Sequence, residues 1–211
     1  MTGLRESKKR QTRATIAQAA ADLFRGRGFA SVTIDDIAAA ANVSRQTVFN
    51  YFPTKEQMLF DREEEILAAL LAVVREQRDG TSLVDAFRRH TRGFWERFAE
   101  TLAAGGETHG FWEIVRASPA LRDYGEASFG RQAQRVGEEI ARTWDRPPDD
   151  PVCQGLARAL CGVNVAVLTS GLERLTCGED PATVVSDLLA RADEAYDLLE
   201  NGLAAYAPLR G

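Results

Sequence analysis

The sequence predicts an all-α protein of two domains. Three observations predict it. Apolar residues recur at helical period in almost every segment, and no stretch alternates convincingly like a strand. Helix starts carry side-chain caps, and the breaks between periodic segments fall on glycine and proline. We place a small three-helix domain at residues 1–54 and a larger helical domain at residues 55–211.

The first helix is expected from about Ser7 to Arg25. Its apolar stripe is Ile16, Ala19, Ala20, Leu23 and Phe24, the spacing of one buried face. Gly26 and Gly28 end it, and Phe29 and Val32 return the chain to the core. A second, short helix begins at Thr33, which with Asp36 has capping-box spacing. It ends at Asn42, the residue type that best replaces glycine in the left-handed conformation after a helix. The alanines from Ala38 to Ala41 leave room for another helix to cross closely. Ser44 then caps a third helix, Ser44 to Phe52, which Pro53 stops. Two short helices joined by Asn42-Val43-Ser44 and held on a longer one make a helix-turn-helix.

A fourth helix is expected to start with a second capping box, Thr54 to Gln57, and to run to about Arg78. Further helices follow near Ser82–Ala104, Thr108–Ala117, Pro119–Trp144, Pro151–Leu175 and Pro181–Tyr206. There is no internal repeat and no low-complexity segment.

The third helix carries the chemistry. An isolated helix shorter than about 12 residues is marginal in water. Here one of two turns displays Arg45, Gln46, Thr47, Asn50 and Tyr51, with Val48 and Phe52 on the opposite, inward stripe. Arg can pair with a guanine edge, Gln or Asn with adenine, and a Thr methyl can meet a thymine methyl. Ser and Tyr hydroxyls suit phosphate oxygens. Charge agrees. Residues 1–60 hold nine Lys/Arg against five Asp/Glu, a balance of +4; residues 61–211 hold 17 against 26, a balance of −9. A basic head on an acidic body suits a polyanion at the head. Lys55 lies where a following helix starts, beside the positive end of its dipole, and an external anion such as a phosphate would explain it there. A solvated connector, or a helical module whose turn recognises protein, remains the alternative. Steep salt dependence separates DNA from protein as partner.

The stretch TIDDIAAAANVSRQTVFNYFPTKEQML resembles the N-terminal domain of TetR/AcrR-type transcriptional regulators. The similarity rests on Gly28-Phe29, Thr33, Ile37-Ala38, Val43-Ser44, Thr47 to Phe52, Lys55-Glu56 and Leu59, and covers residues 10–60. It implies phosphate contacts at Thr33, Tyr51 and Lys55, and base-edge or nearby backbone contacts at Arg45, Gln46, Thr47 and Asn50, with Ser44 at the helix start. Two departures stand out. Asn42 replaces the usual turn glycine. Phe49 stands where the family commonly has tyrosine, so that position supplies only an apolar contact.

The resemblance also implies a homodimer on the palindromic operator of double-stranded DNA, with half-sites about one helical turn apart, and a small-molecule effector held in the body. The last two helices are the candidate dimer interface through Leu156, Leu160, Val163, Val167, Val185, Leu188, Ala192 and Leu199. The same apolar faces could instead pack within one subunit. Aromatic residues crowd the body, and His90, Trp95, Phe98, His109, Phe111, Trp112 and Asn164 are the candidate pocket lining for an apolar or aromatic effector. Plain core packing is the competing reading of the same aromatics.

Enzyme chemistry finds no support. Two histidines nineteen residues apart offer no helical metal pair, and GxSxG, P-loop and GxGxxG patterns are absent. We expect no catalytic residue, metal or cofactor. The longest apolar run, Ile66 to Val74, is nine residues against the roughly 20 a spanning helix needs. Cys153, Cys161 and Cys177 are odd in number and lack CxxC spacing. With no secretory signal at the start, the expectation is a cytoplasmic protein with reduced thiols and no membrane partner.

Overall fold

The computed structural model describes residues 2–76, 81–103 and 109–202; the side chains of 2–4, 102, 103 and 109 lie outside that set. Among the described residues there are ten helices and no strand. They are α1 Thr2–Arg27, α2 Ile34–Ala40, α3 Arg45–Tyr51, α4 Glu56–Leu59, α5 Glu63–Arg75, α6 Leu83–Ala103, α7 His109–Ala117, α8 Pro119–Thr143, α9 Pro151–Thr176 and α10 Pro181–Asn201.

The chain divides into two compact units, and the division differs from the boundary expected at 54/55. The first unit takes the described residues up to Glu63 together with Gly110–Glu126; the second takes the rest. The physical reason is a second stretch of apolar side chains that sequence order hides. Ile114, Val115 and Leu121 join Ile16, Phe24, Ile37, Val48, Phe52 and Met58 in one core. Phe60 packs on Phe111 and Tyr124, with ring centroids 5.4 and 5.1 Å apart.

That packing also explains a break that sequence periodicity misses. The single helix expected from Thr54 to Arg78 is two helices, α4 and α5, separated at Phe60–Arg62. The Thr54 hydroxyl does accept the Gln57 amide, but at 3.4 Å, and α4 lasts only four residues. Phe60 is pulled onto α7 and the first turns of α8, and its backbone leaves helical geometry (φ −96°, ψ 37°).

The second unit packs α6, α9 and α10 around a core that includes Phe87, Trp95, Leu160, Val184, Leu188 and Tyr196. Asp150 and Asp180 cap α9 and α10, each followed by proline at the first helical position. Arg88 ties α6 to α10 through Asp197 at 2.8 Å and Glu200 at 3.4 Å, and Arg92 reaches Asp193 at 2.6 Å. Glu139 on α8 accepts from both ends of the Arg75 guanidinium on α5, at 2.7 and 3.1 Å, and also from Arg142.

α9 is long and apolar enough to cross a membrane by length and composition, a property the nine-residue run did not reveal. Only 28% of its most apolar stretch is buried, so much of that surface lacks a partner within the subunit. What the helix does bury is continuous with a globular core that includes α10 and α6.

Candidate nucleic-acid interface

Local rules build the reading head. At the start of α2, Thr33 accepts the Asp36 amide at 3.1 Å while Asp36 accepts the Thr33 amide at 2.8 Å, a complete capping box. The same bonds, those from Thr33 first, hold the Asp36 carboxyl below its usual range. Ser44 caps α3, accepting the Thr47 amide at 3.0 Å. Between the two helices Asn42 sits at φ 52°, the left-handed turn anticipated from its residue type.

α3 buries one stripe and shows the other. Val48 and Phe52 are fully buried, with Val43 and Tyr51 packed against the same core. Arg45, Gln46, Phe49 and Asn50 are exposed and Thr47 is half-buried, so all five candidate readers are at the surface or its edge. Gln46 donates to Asn50 at 3.0 Å, which aligns two amides along one helix turn. The Arg45 guanidinium is held by Asp35 of α2, at 3.1 Å, and lies 5.6 Å from the Phe49 ring. Phe49 is 39% exposed, available for the apolar contact expected of it.

Two expected phosphate ligands have other engagements. The Thr33 hydroxyl donates to Asp36 at 2.6 Å as well as capping the helix, so its proton is committed to the fold. Lys55 was expected to need an external anion; instead its ammonium donates to the Phe29 carbonyl at 2.7 Å and the Val32 carbonyl at 2.9 Å. It also lies 4.1 Å from the Phe29 ring. Lys55 fastens the α1–α2 loop, and burial lowers its pKa from the ordinary lysine value. Local sequence could not show this, because both carbonyls lie more than 20 residues away.

Sequence reasoning missed Arg13. On α1, it donates to the Tyr51 carbonyl at 2.9 Å and the Asp61 carbonyl at 3.2 Å, and its guanidinium lies 4.2 Å over the Phe52 ring. It thereby satisfies a carbonyl at the end of α3 that the helix leaves unpaired. A basic residue on the half-polar side of an amphipathic helix gives no signal of such a clamp.

The candidate pocket residues are divided between the two units. Phe111 and Trp112 belong to the first unit's core margin, and the His109 side chain lies outside the described residues. Trp95 is 1% exposed and fills core, edge-on to Phe98 at 5.2 Å and pressed against Gly171. His90 is half-buried; desolvation first, then the charge of Arg97, lowers its pKa. Asn164 shares a polar cluster with Thr91 and Tyr196. The Tyr196 hydroxyl is 2.8 Å from Thr91 and donates to Asn164 at 3.2 Å, and burial pushes the phenol up to about 12. The Asn164 Nδ2 is buried without a hydrogen-bond partner.

The expected dimer residues are divided between the subunit's own core and an open groove. Leu160, Val167, Val185, Leu188 and Ala192 are buried inside the subunit, with Leu156, Val163 and Leu199 packed beside them. An apolar face at helical spacing is first spent on the helix's own neighbours. Three of the expected residues, Val163, Val167 and Leu188, also reach an open surface. A groove of about 670 Å³ runs between α9 and α10, its floor formed by Val163, Val167 and Leu188 and its rim by the smaller Ala159, Gly162 and Ala166 and the charged Asp187 and Arg191.

A capped pair of short helices presenting Arg, Gln, Thr and Asn from a braced frame defines a helix-turn-helix DNA-binding protein. Residues 16–61 match the model of the bacterial regulatory proteins of the tetR family. The chain is similar to the transcriptional regulator TcmR of Streptomyces glaucescens, 27% identical over 143 residues, covering 66% of this chain and 62% of TcmR. It is also similar to the transcriptional repressor Rv3405c of Mycobacterium tuberculosis, 27% identical over 122 residues, covering 58% of this chain and 65% of the relative. Each match thus spans less than two thirds of the relative's length. Among solved structures, the SmeT–triclosan complex shares the fold with a TM-score of 0.55 at 22% identity, covering 94% of this chain and 93% of that one. Residues 16–61 thus carry a DNA-binding domain of the tetR family, and the chain as a whole resembles TetR-type transcriptional regulators. Such regulators form a family that is not normally enzymatic.

Proposed function

We propose that this regulator is a homodimeric repressor that binds a palindromic operator and releases it when a small molecule occupies the second unit. The observation that carries the DNA-reading part is the division of α3. Val48 and Phe52 fix its inner stripe while Arg45, Gln46, Thr47, Phe49 and Asn50 face outward. In this reading Arg45, Gln46 and Asn50 address base edges, Thr47 and Phe49 supply apolar contact, and Ser44 and Tyr51 lie near phosphate. The Tyr51 hydroxyl makes no hydrogen bond among the described residues, which leaves it available to a phosphate oxygen. Lys55 and Thr33 act by holding the loop and helix that carry these groups.

Dimerisation is supported by the incompletely covered apolar α9 and by the groove beside it. Its small residues, Ala159, Gly162 and Ala166, let a partner helix approach closely, and a two-fold axis would pair the stripe with itself. The effector reading is supported by the unpaired, buried Asn164 amide nitrogen beside Thr91 and Tyr196. A buried polar atom left unpaired costs about 1–3 kcal/mol, and a ligand acceptor would remove that cost. The SmeT structure is a complex with triclosan, and in this chain Trp95 and Phe98 pack edge-on in the core that also holds Tyr196. Such a ligand releases DNA only if it binds the released form more tightly than the DNA-bound form.

The test is fluorescence anisotropy on a selected operator with single base-pair changes. Gln46→Ala is expected to relax preference at particular pairs, and Tyr51→Phe to weaken all sites alike. Equal scaling of every site by Gln46→Ala would remove its base-reading role.

A further inference from the structure

Asp35 and Arg45 form an exposed ion pair. Asp35 lies in the first turn of α2 and Arg45 is the first residue of α3, ten positions apart, so the pair bridges the two helices of the motif. Only one guanidinium nitrogen is used. Nη1 donates to Oδ1 at 3.3 Å and to Oδ2 at 3.1 Å. The Phe49 ring lies 5.6 Å from the guanidinium carbon. Nε and Nη2 make no hydrogen bond among the described residues. Arg45 therefore has one corner anchored, one neighbour in a ring, and its other edge open.

That open edge carries parallel N–H groups, the geometry that meets the O6 and N7 acceptors of one guanine. A free arginine on a helix facing DNA has a competing choice, since phosphates are nearer and more charged than base edges. A carboxylate on Nη1 opposes that choice. It fixes the guanidinium, and it places a negative charge where a phosphate oxygen would otherwise approach. We propose that Asp35 is a positioning residue that commits Arg45 to a guanine edge rather than to the backbone. This rests on the DNA-reading role assigned to α3 and adds a specificity determinant on α2, where only the capping Thr33 was expected to meet DNA.

The experiment uses the full-length protein and a site selected from random double-stranded DNA. Competition anisotropy then measures all four base pairs at each position for wild type, Asp35→Ala, Asp35→Asn, Arg45→Ala and the double alanine variant. Thermal unfolding is recorded alongside. Arg45→Ala is expected to cut the preference for guanine at one position of each half-site by about tenfold or more. Asp35→Ala is expected to cut it at that same position by about fivefold, the scale of an exposed ion pair. It should also tighten binding to unrelated DNA, because a negative charge leaves the interface. Asp35→Asn, which keeps an acceptor for Nη1, is expected to fall between Asp35→Ala and wild type. In the Arg45→Ala background, Asp35→Ala should leave the base profile unchanged.

Three results overturn the proposal. Asp35→Ala could shift every site by one factor, which makes Asp35 a bulk charge or, with a lowered unfolding temperature, a structural contact. It could alter the guanine preference equally without Arg45. Or Arg45→Ala could leave the base profile intact. A wild-type protein that selects no consensus would instead defeat the DNA-reading role itself.

Discussion

Lys55→Met separates two explanations of the same lysine. The substitution keeps a chain of similar length and apolar body and deletes the ammonium. In the structure that ammonium makes two charge-assisted bonds, to the carbonyls of Phe29 and Val32 at 2.7 and 2.9 Å, and lies 4.1 Å from the Phe29 ring. Hydrogen bonds to charged groups contribute about 1.5–3 kcal/mol each when buried. Lys55 is only partly buried, so solvent screening takes the pair together down to about 2 kcal/mol. For a cooperative unit of 60–100 residues that loss lowers the unfolding midpoint by roughly 10 °C. The assay is thermal unfolding without DNA, with operator affinity measured across a salt series. We expect a lower midpoint, weaker binding, and an unchanged slope of log affinity against log salt. A phosphate contact predicts the reverse: an unchanged midpoint and a slope reduced by about 0.9. That second outcome would falsify the structural role assigned to Lys55.

Other expectations rest on single sites. Glu139, whose side chain is 9% exposed, is held down to about 2 by the hydrogen bonds of Arg75, then of Arg142, against an ordinary value of 4.5. Its folded pKa lies below the unfolded one, so its contribution is present above about pH 4.5 and is lost as pH falls toward 2. Both arginines are more than half exposed, which limits that contribution to roughly 1 kcal/mol. Glu139→Gln should lower stability at pH 7 and flatten the acid limb of a urea-denaturation series across that window. Gly171→Ala would place a methyl 2.4 Å from Leu188 and 2.5 Å from the Trp95 ring. The rigid indole cannot step aside cheaply, so a loss of about 1–3 kcal/mol is expected in denaturant unfolding. Ala166→Arg puts a long charged side chain into the α9–α10 groove. Light scattering should then report a monomer, with an unfolding midpoint that no longer depends on protein concentration; a dimer of wild-type affinity would move the interface elsewhere.

What could be read without coordinates was local. Thr33, Asn42 and Ser44 act on neighbours two to four residues away, and their caps and turn appear where residue chemistry puts them. The starts of α9 and α10 follow from proline at the first helical position in the same way. The α3 face was legible because Val48 and Phe52 share a stripe with no polar group on it. What escaped is nonlocal. Arg13 meets Tyr51 and Asp61 across 38 and 48 positions, and Lys55 meets Phe29 across 26. The break after α4 comes from Phe60 turning onto Phe111 and Tyr124. Periodicity marked the apolar stripes of α9 and α10 but could not say which neighbour covers each. Leu160 went to the subunit's own core, while Val163, Val167 and Leu188 border the open groove with the smaller Ala159, Gly162 and Ala166. Aromatic density likewise could not distribute Trp95 and Phe111 between two units.

The most direct test of the account is selection of binding sites from random double-stranded DNA by the purified protein, followed by anisotropy on the winning sequence at several salt concentrations. The account predicts a palindromic consensus, with half-sites about one helical turn apart, bound with a steep salt slope. Weak, shallow binding with no consensus would contradict it, and the outward face of α3 would then have to be reassigned to a protein partner.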